Sequence, residues 1–98
     1  MLMIREIMYC KPGKVRPMVK MFLAMSAVMD KNGLGKMRVM TDVSAERYWT
    51  IVAEFEVESM DKFMAMDSSP EMKELEPMMK DYHELVDHGR REIYKIEG

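Results

Sequence analysis

Arg5-Glu6-Ile7-Met8-Tyr9 and Arg91-Glu92-Ile93-Tyr94-Lys95 lie near opposite ends of a 98-residue chain and share Arg-Glu-Ile and a tyrosine. Each borders a segment of helical periodicity, and two more strand-like stretches lie between them. The first strand runs from Leu2 to Cys10 and stops at Lys11-Pro12-Gly13-Lys14, a cluster that breaks a strand and opens a turn. From Lys14 onward, Val15, Met18, Phe22, Met25 and Met29 recur at spacings of three or four, the stripe of an amphipathic helix. Pro17 falls in its first turn, where the amide that proline lacks has no intrahelical partner. Asn32-Gly33 ends it, since both residues tolerate the left-handed conformation common at helix C-termini.

A second strand is predicted over Leu34–Thr41, a polar hairpin loop over Asp42–Glu46 and a third strand over Arg47–Val57. In the third strand Trp49, Ile51, Ala53, Phe55 and Val57 are apolar at every odd position, while Tyr48, Thr50, Val52, Glu54 and Glu56 begin mixed and end acidic. One face of that strand therefore meets a helical layer, and the Tyr48, Thr50 and Val52 part of the other awaits a subunit or a ligand. Ser59 and Ser69-Pro70 each read as a helix N-cap, the second with proline at the first helical position. Pro77 forces a break near Glu76. A last helix is expected from Pro77 to about Asp87, ended by Gly89, and Arg90–Ile96 is the last strand.

The order strand, helix, strand, strand, helix, strand is the split βαβ arrangement of the ferredoxin-like fold, with a four-stranded antiparallel sheet and helices on one face. Residues 1–98 make one α+β domain, as chains of this length usually do. Such a domain buries only roughly two thirds of the surface its unfolded chain exposes, so a subunit partner would add stability. The 15 basic and 17 acidic residues are interspersed, which argues against nucleic acid as a partner. Cys10 is the only cysteine, no apolar run approaches the length of a membrane span, and Arg5 and Glu6 interrupt the apolar start before a signal-peptide core could form. A soluble cytoplasmic protein without membrane contact is expected.

Glu58-Ser59-Met60-Asp61-Lys62-Phe63, followed by Gly89-Arg90-Arg91-Glu92-Ile93-Tyr94-Lys95-Ile96, resembles the NIPSNAP-like branch of the dimeric α+β barrel superfamily. Ile4-Arg5-Glu6-Ile7 leading to Lys11-Pro12-Gly13-Lys14-Val15 is similar to the same family. The resemblance implies a homodimer whose two sheets pack face to face into a shared barrel, with ligand clefts between helices and sheet. It also implies an activity class that includes cofactor-independent, quinone-forming monooxygenases and haem-degrading enzymes, beside members with no assigned activity. Haem-degrading members place an Asn on the first strand, a Trp on the third and a His on the second helical segment. Trp49 and His83 occupy suitable elements, but the sole asparagine, Asn32, belongs to a helix-terminating loop, so no haem or other cofactor is assigned.

Methionine supplies 15 of the 98 residues, and Met18, Met21, Met25 and Met29 fall along one helix. Thioethers bind copper(I), but Phe22 and Val15 share the stripe, so the methionines are read as core and no metal is assigned. His83 is the candidate catalytic residue, a proton shuttle or an axial haem ligand beside Met79, Tyr82 and Val86; the alternative is a half-buried histidine satisfied by a carbonyl or water. His88 is assigned to the turn. Trp49, Tyr9 and Tyr82 are the candidate substrate-binding residues for a small aromatic molecule, against a plain core role for Trp49 and a core-edge role for the tyrosines. Cofactor-independent monooxygenases of the superfamily bind the substrate anion with Trp, Tyr, Arg and Asn side chains, so the resemblance implies that an arginine such as Arg38 or Arg91 holds an oxyanion. Arg90 and Arg91, being adjacent on a strand, must serve opposite faces. Cys10 reads as a small buried apolar residue, and Glu71, Glu74 and Glu76 as a solvated helix face. Two functions follow: conversion or binding of an aromatic molecule in the cleft, or a non-catalytic interaction dimer.

Overall fold

The first strand, β1 (Leu2–Cys10), ends where the chain turns through Gly13 at φ 78°, and α1 (Val15–Lys31) follows. Its buried side chains are Val15, Met18, Phe22 and Met29, the predicted stripe, with Met25 half-buried. Asn32 and Gly33 close it with a paired C-terminal motif: the Leu34 amide donates to the Met29 carbonyl and the Gly33 amide to that of Asp30. Gly33 supplies the left-handed residue, at φ 68°. The computed structural model describes residues 1–98, and three further strands complete a single sheet.

These are β2 (Arg38–Thr41), β3 (Thr50–Val57) and β4 (Val86–Lys95), ordered β2-β3-β1-β4 with every neighbouring pair antiparallel. Between β3 and β4 lie α2 (Met60–Asp67), the single turns α3 (Pro70–Lys73) and α4 (Tyr82–Leu85), and a string of tight turns. Ser59 and Ser69 cap α2 and α3, their hydroxyls accepting from the Lys62 and Met72 amides. All helices lie on one face, over Ile4, Met8, Ile51, Ala53, Phe55 and Val57. The element order and layering are those of the ferredoxin-like fold.

Four details depart from expectation. β2 starts at Arg38 instead of Leu34, because Gly33 and Gly35, both at positive φ, turn the chain before the ladder can form. The third strand starts at Thr50 instead of Arg47. Asp42 Oδ1 accepts from the Thr50 amide and the Arg47 carbonyl from the Thr50 hydroxyl, which folds residues 42–49 into a side-chain-bonded loop. Trp49 is consequently no inward strand residue: it is 43% exposed and sits at φ 62°. The predicted helix from Pro77 to Asp87 contracts to Tyr82–Leu85, since bonds such as Leu75 to Met72 and Tyr82 to Met79 span only three residues around Pro77. Finally, Gly89 does not end a helix, nor does His88 sit in a turn. Both belong to β4, whose Cys10–Val86 pairing follows a one-residue register shift at Tyr9.

The two similar pentapeptides run antiparallel as neighbours, so Arg5 faces Glu92 and Glu6 faces Arg91. Cross-strand partners share a face, and adjacent residues alternate. Hence Arg5 and Glu92 lie on the open face, while Glu6 and Arg91 lie beneath the helices.

Candidate functional site

Glu6 stands between Ile4 and Met8 in the inward phase of β1, a carboxylate in an apolar row. Arg91 opposite it donates from Nε to Glu6 Oε1, and its guanidinium lies 4.9 Å from the centroid of the Phe63 ring. Both line a cleft of about 250 Å³ between the sheet and the helices. Its walls include Phe22 and Met29 of α1, Phe55 of β3, Phe63 and Met66 of α2, and Tyr82 of α4. Seven methionines in all border it, adding Met8, Met25, Met37, Met72 and Met79 to Met29 and Met66. A shallow hollow at the β4 edge, lined by Glu6, Met8, Tyr82, Gly89, Arg90 and Arg91, adjoins its mouth.

Burial pushes the Tyr82 phenol above the usual tyrosine value, and the Glu6 charge pushes the same way. Tyr82 therefore stays protonated at neutral pH and offers a hydrogen-bond donor to the cleft. Burial, and secondarily Asp42, raises the Cys10 thiol; it remains a thiol and not the thiolate that nucleophilic chemistry requires. No group of three His, Cys, Asp or Glu side chains is arranged to hold a metal ion.

The four candidates from the sequence fall in three places. Tyr82 lines the cleft. His83 is exposed beside it, its ring edge-on to Tyr82 at 5.3 Å between centroids, and lines none of the hollows described here. Trp49 borders a separate hollow of about 420 Å³ with Arg16, Asp42 and Tyr48, where β1 leads into α1. Tyr9 is on the open face: the Arg47 guanidinium covers its ring at 4.5 Å, the His88 ring lies against it tilted by 54° with centroids 4.9 Å apart, and Arg90 donates to its hydroxyl at 2.5 Å. Arg90 and Arg91 serve opposite faces, as alternation requires. Sequence reasoning passed over Glu6, although its phase with Ile4 and Met8 was visible. A larger hollow of about 750 Å³ opens between the Gly33–Lys36 turn and α2. It is a broad surface groove lined by glycine, lysine and serine beside a few apolar groups, and offers size without the enclosure of the methionine cleft.

Fold and cleft together define an α+β domain of ferredoxin-like class with a partly polar cavity between its layers. No family model and no curated protein matches the chain. Solved structures do. A NIPSNAP domain protein from Burkholderia xenovorans superposes with TM-score 0.73 at 14% identity, covering 98% of this chain and 94% of that one. A dimeric protein of unknown function and ferredoxin-like fold from Bacteroides fragilis gives 0.74 at 15%, covering 97% and 95%. A candidate antibiotic biosynthesis monooxygenase from Deinococcus radiodurans gives 0.72 at 7%, covering 100% and 94%. At these identities the likeness is one of fold, and at that level the NIPSNAP-like resemblance of the sequence holds. No helix is long and apolar enough to cross a membrane.

Proposed function

We propose that the chain binds a small aromatic molecule in the cleft between helices and sheet and oxidises it with dioxygen, in the manner of cofactor-independent monooxygenases. The observation that carries this reading is the Glu6–Arg91 pair beside the Tyr82 phenol, in a hollow otherwise walled mainly by methionine and phenylalanine. The pair is only partly covered, the Glu6 side chain 23% and the Arg91 side chain 47% exposed, so its remaining polar atoms are open to a ligand at the edge of an otherwise apolar hollow, the arrangement typical of a small-molecule site. Thioethers favour aromatic edges and conform to varied shapes. The fold shared with a candidate monooxygenase supports the same class, while fold alone carries no chemistry.

In this reading an electron-rich phenol supplies all four electrons that reduce dioxygen. One atom of dioxygen becomes a new ring carbonyl, and the other leaves as water with the hydrogens of the ring carbon and the hydroxyl, giving a quinone. Arg91 holds the phenolic oxygen as charge gathers there, and Tyr82 donates to it. His83, exposed beside Tyr82, passes the proton to solvent. Trp49 and Tyr9 stand outside this cleft and have no part in it. An oxygen electrode with a dihydroxynaphthalene as probe tests the proposal: uptake is expected in the wild type, with a loss of about a hundredfold in Arg91→Gln. Absence of both uptake and binding at the cleft would sink it.

We further propose that two copies meet through their open faces, and that the protein is cytoplasmic, a setting that suits the free Cys10 thiol. Met40, Val52 and Ile7 form one apolar cross-strand row there, and the similar Bacteroides fragilis protein is described as dimeric. Sedimentation equilibrium should find a dimer at micromolar concentration and a monomer for Met40→Glu. A non-catalytic interaction dimer would keep the assembly and show no dioxygen uptake.

A further inference from the structure

We infer that Glu6 makes the methionine cleft selective for uncharged hydroxy-aromatic molecules and turns away aromatic carboxylates of the same size. The inference rests on the ligand-binding reading of the cleft and adds to it the residue that sets its specificity. The charged side chains lining the cleft are Glu6, Asp67 and Arg91, two acids against one base. Arg91 is already held by Glu6. A carboxylate that entered would have to share Arg91 with Glu6, which already holds its Nε, and would add a third negative charge beside Glu6 and Asp67 with one cation among them. The one cation at hand, Arg91, is already paired, so two like charges act against an entering carboxylate and one shared charge acts for it.

A neutral hydroxyl meets no such obstacle. Of the two Glu6 oxygens only Oε1 is engaged, so Oε2 accepts a proton donor without disturbing the pair. The ligand oxygen in turn accepts from the Tyr82 phenol, which its surroundings keep protonated, or from the remaining Arg91 N–H groups. Selectivity thus arises chiefly from repulsion of the wrong ligand, with a hydrogen bond favouring the right one.

The test uses the full chain carrying 13C-methyl methionine, titrated at pH 7 with 2-naphthol and with 2-naphthoate, the first neutral and the second ionised at that pH. Methyl shifts of Met29, Met66 and Met79 report the cleft, and those of the exposed Met60, Met64 and Met78 report binding elsewhere. Naphthol should bind at the cleft about tenfold or more tightly than naphthoate. In Glu6→Gln the order should narrow or reverse, with naphthoate gaining about tenfold. Asp67→Asn, which leaves the Glu6–Arg91 pair intact, should help naphthoate by a smaller factor and serves if Glu6→Gln does not fold. Naphthoate binding the wild-type cleft as tightly as naphthol, or an unchanged ratio in the variants, overturns the inference and leaves the ligand cleft standing. Cleft methyls that move with neither probe overturn the ligand-binding reading, and this inference with it.

Discussion

Beneath the helices, β1 presents one charged side chain, Glu6, between Ile4 and Met8; on the other face it presents Arg5, between Met3 and Ile7. Arg5 belongs to a cross-strand row of alternating sign, Arg38, Glu54, Arg5 and Glu92. Arg38 reaches Glu54 at 2.5 Å, Arg5 Nε lies 3.3 Å from Glu54, and Arg90 bonds Glu92 at 3.0 Å. The approach of Arg5 Nε to Glu54 is an ion pair and not an aligned hydrogen bond, for that nitrogen has no hydrogen-bond acceptor. In that row charge is shared among several partners, which makes it a structural device. Glu6 and Arg91 form an isolated, partly exposed pair at the edge of a methionine-walled cleft, with one Glu6 oxygen unused. That difference is why chemistry is sought under the helices and assembly on the open face.

The sharpest way to break the comparison uses two adjacent residues of β3 that serve different faces. Ile51 is completely buried in the core, whereas Val52 is half-buried on the open face. Ile51→Ala should cost about 2–5 kcal/mol in urea denaturation, and Val52→Ala in the monomer below about 1 kcal/mol. Equal losses would mean that the open face is packed as tightly as the core. Gly89→Ala comes next. A Cβ there would lie 3.0 Å from the Ile7 carbonyl oxygen and 3.3 Å from Met8 Cγ. Because the nearer atom is backbone, strand spacing must give, at about 1–3 kcal/mol. The methyl would also intrude at the cleft mouth, so the variant should lose ligand affinity along with stability.

A smaller effect separates Trp49 from both faces. A tryptophan in the left-handed region is strained, and this one is partly exposed, so Trp49→Gly exchanges some packing for relief of strain. The net cost should be below about 1 kcal/mol, against about 3–5 kcal/mol for Phe22→Ala in the core. A loss for Trp49→Gly as large as that for Phe22→Ala would return Trp49 to the anchoring role that its strand phase implied.

Trp49 also marks where the sequence ceases to be legible. The period-two pattern of Ile51, Ala53, Phe55 and Val57 and the stripe of Val15, Met18, Phe22 and Met29 were readable because each repeats within one element. The loop that displaces Trp49 depends on Asp42 bonding Thr50 across eight positions, a long-range closure that no local pattern announces. The same holds after α3, where tight turns replace a helix around Pro77 and Val86 joins the sheet opposite Cys10. For the site, the alternation that sends Arg90 and Arg91 to opposite faces was legible in advance. The grouping of Tyr9 with Tyr82 was not testable before the register was known, since only the register assigns Tyr9 to the open face.

The smallest effect probes the cleft through its protonation. Tyr82 is neutral in the fold and loses its proton above the usual tyrosine value of 10, because burial and Glu6 disfavour the phenolate. In the unfolded chain it ionises near that usual value. Between the two the folded state holds the extra proton, so raising the pH through this window favours unfolding. The stability that Tyr82 contributes is thus full below pH 10 and declines above it. Tyr82→Phe should flatten the alkaline limb of the stability profile and leave the neutral region little changed. Tyr9, on the open face with Arg90 at its hydroxyl, is the comparison: Tyr9→Phe should remove that bond, lower stability at neutral pH, and leave the alkaline decline due to Tyr82 in place. If Tyr82→Phe leaves the alkaline limb unaltered, its phenol is not held in the apolar, Glu6-flanked setting described, and the donor assigned to the cleft is lost.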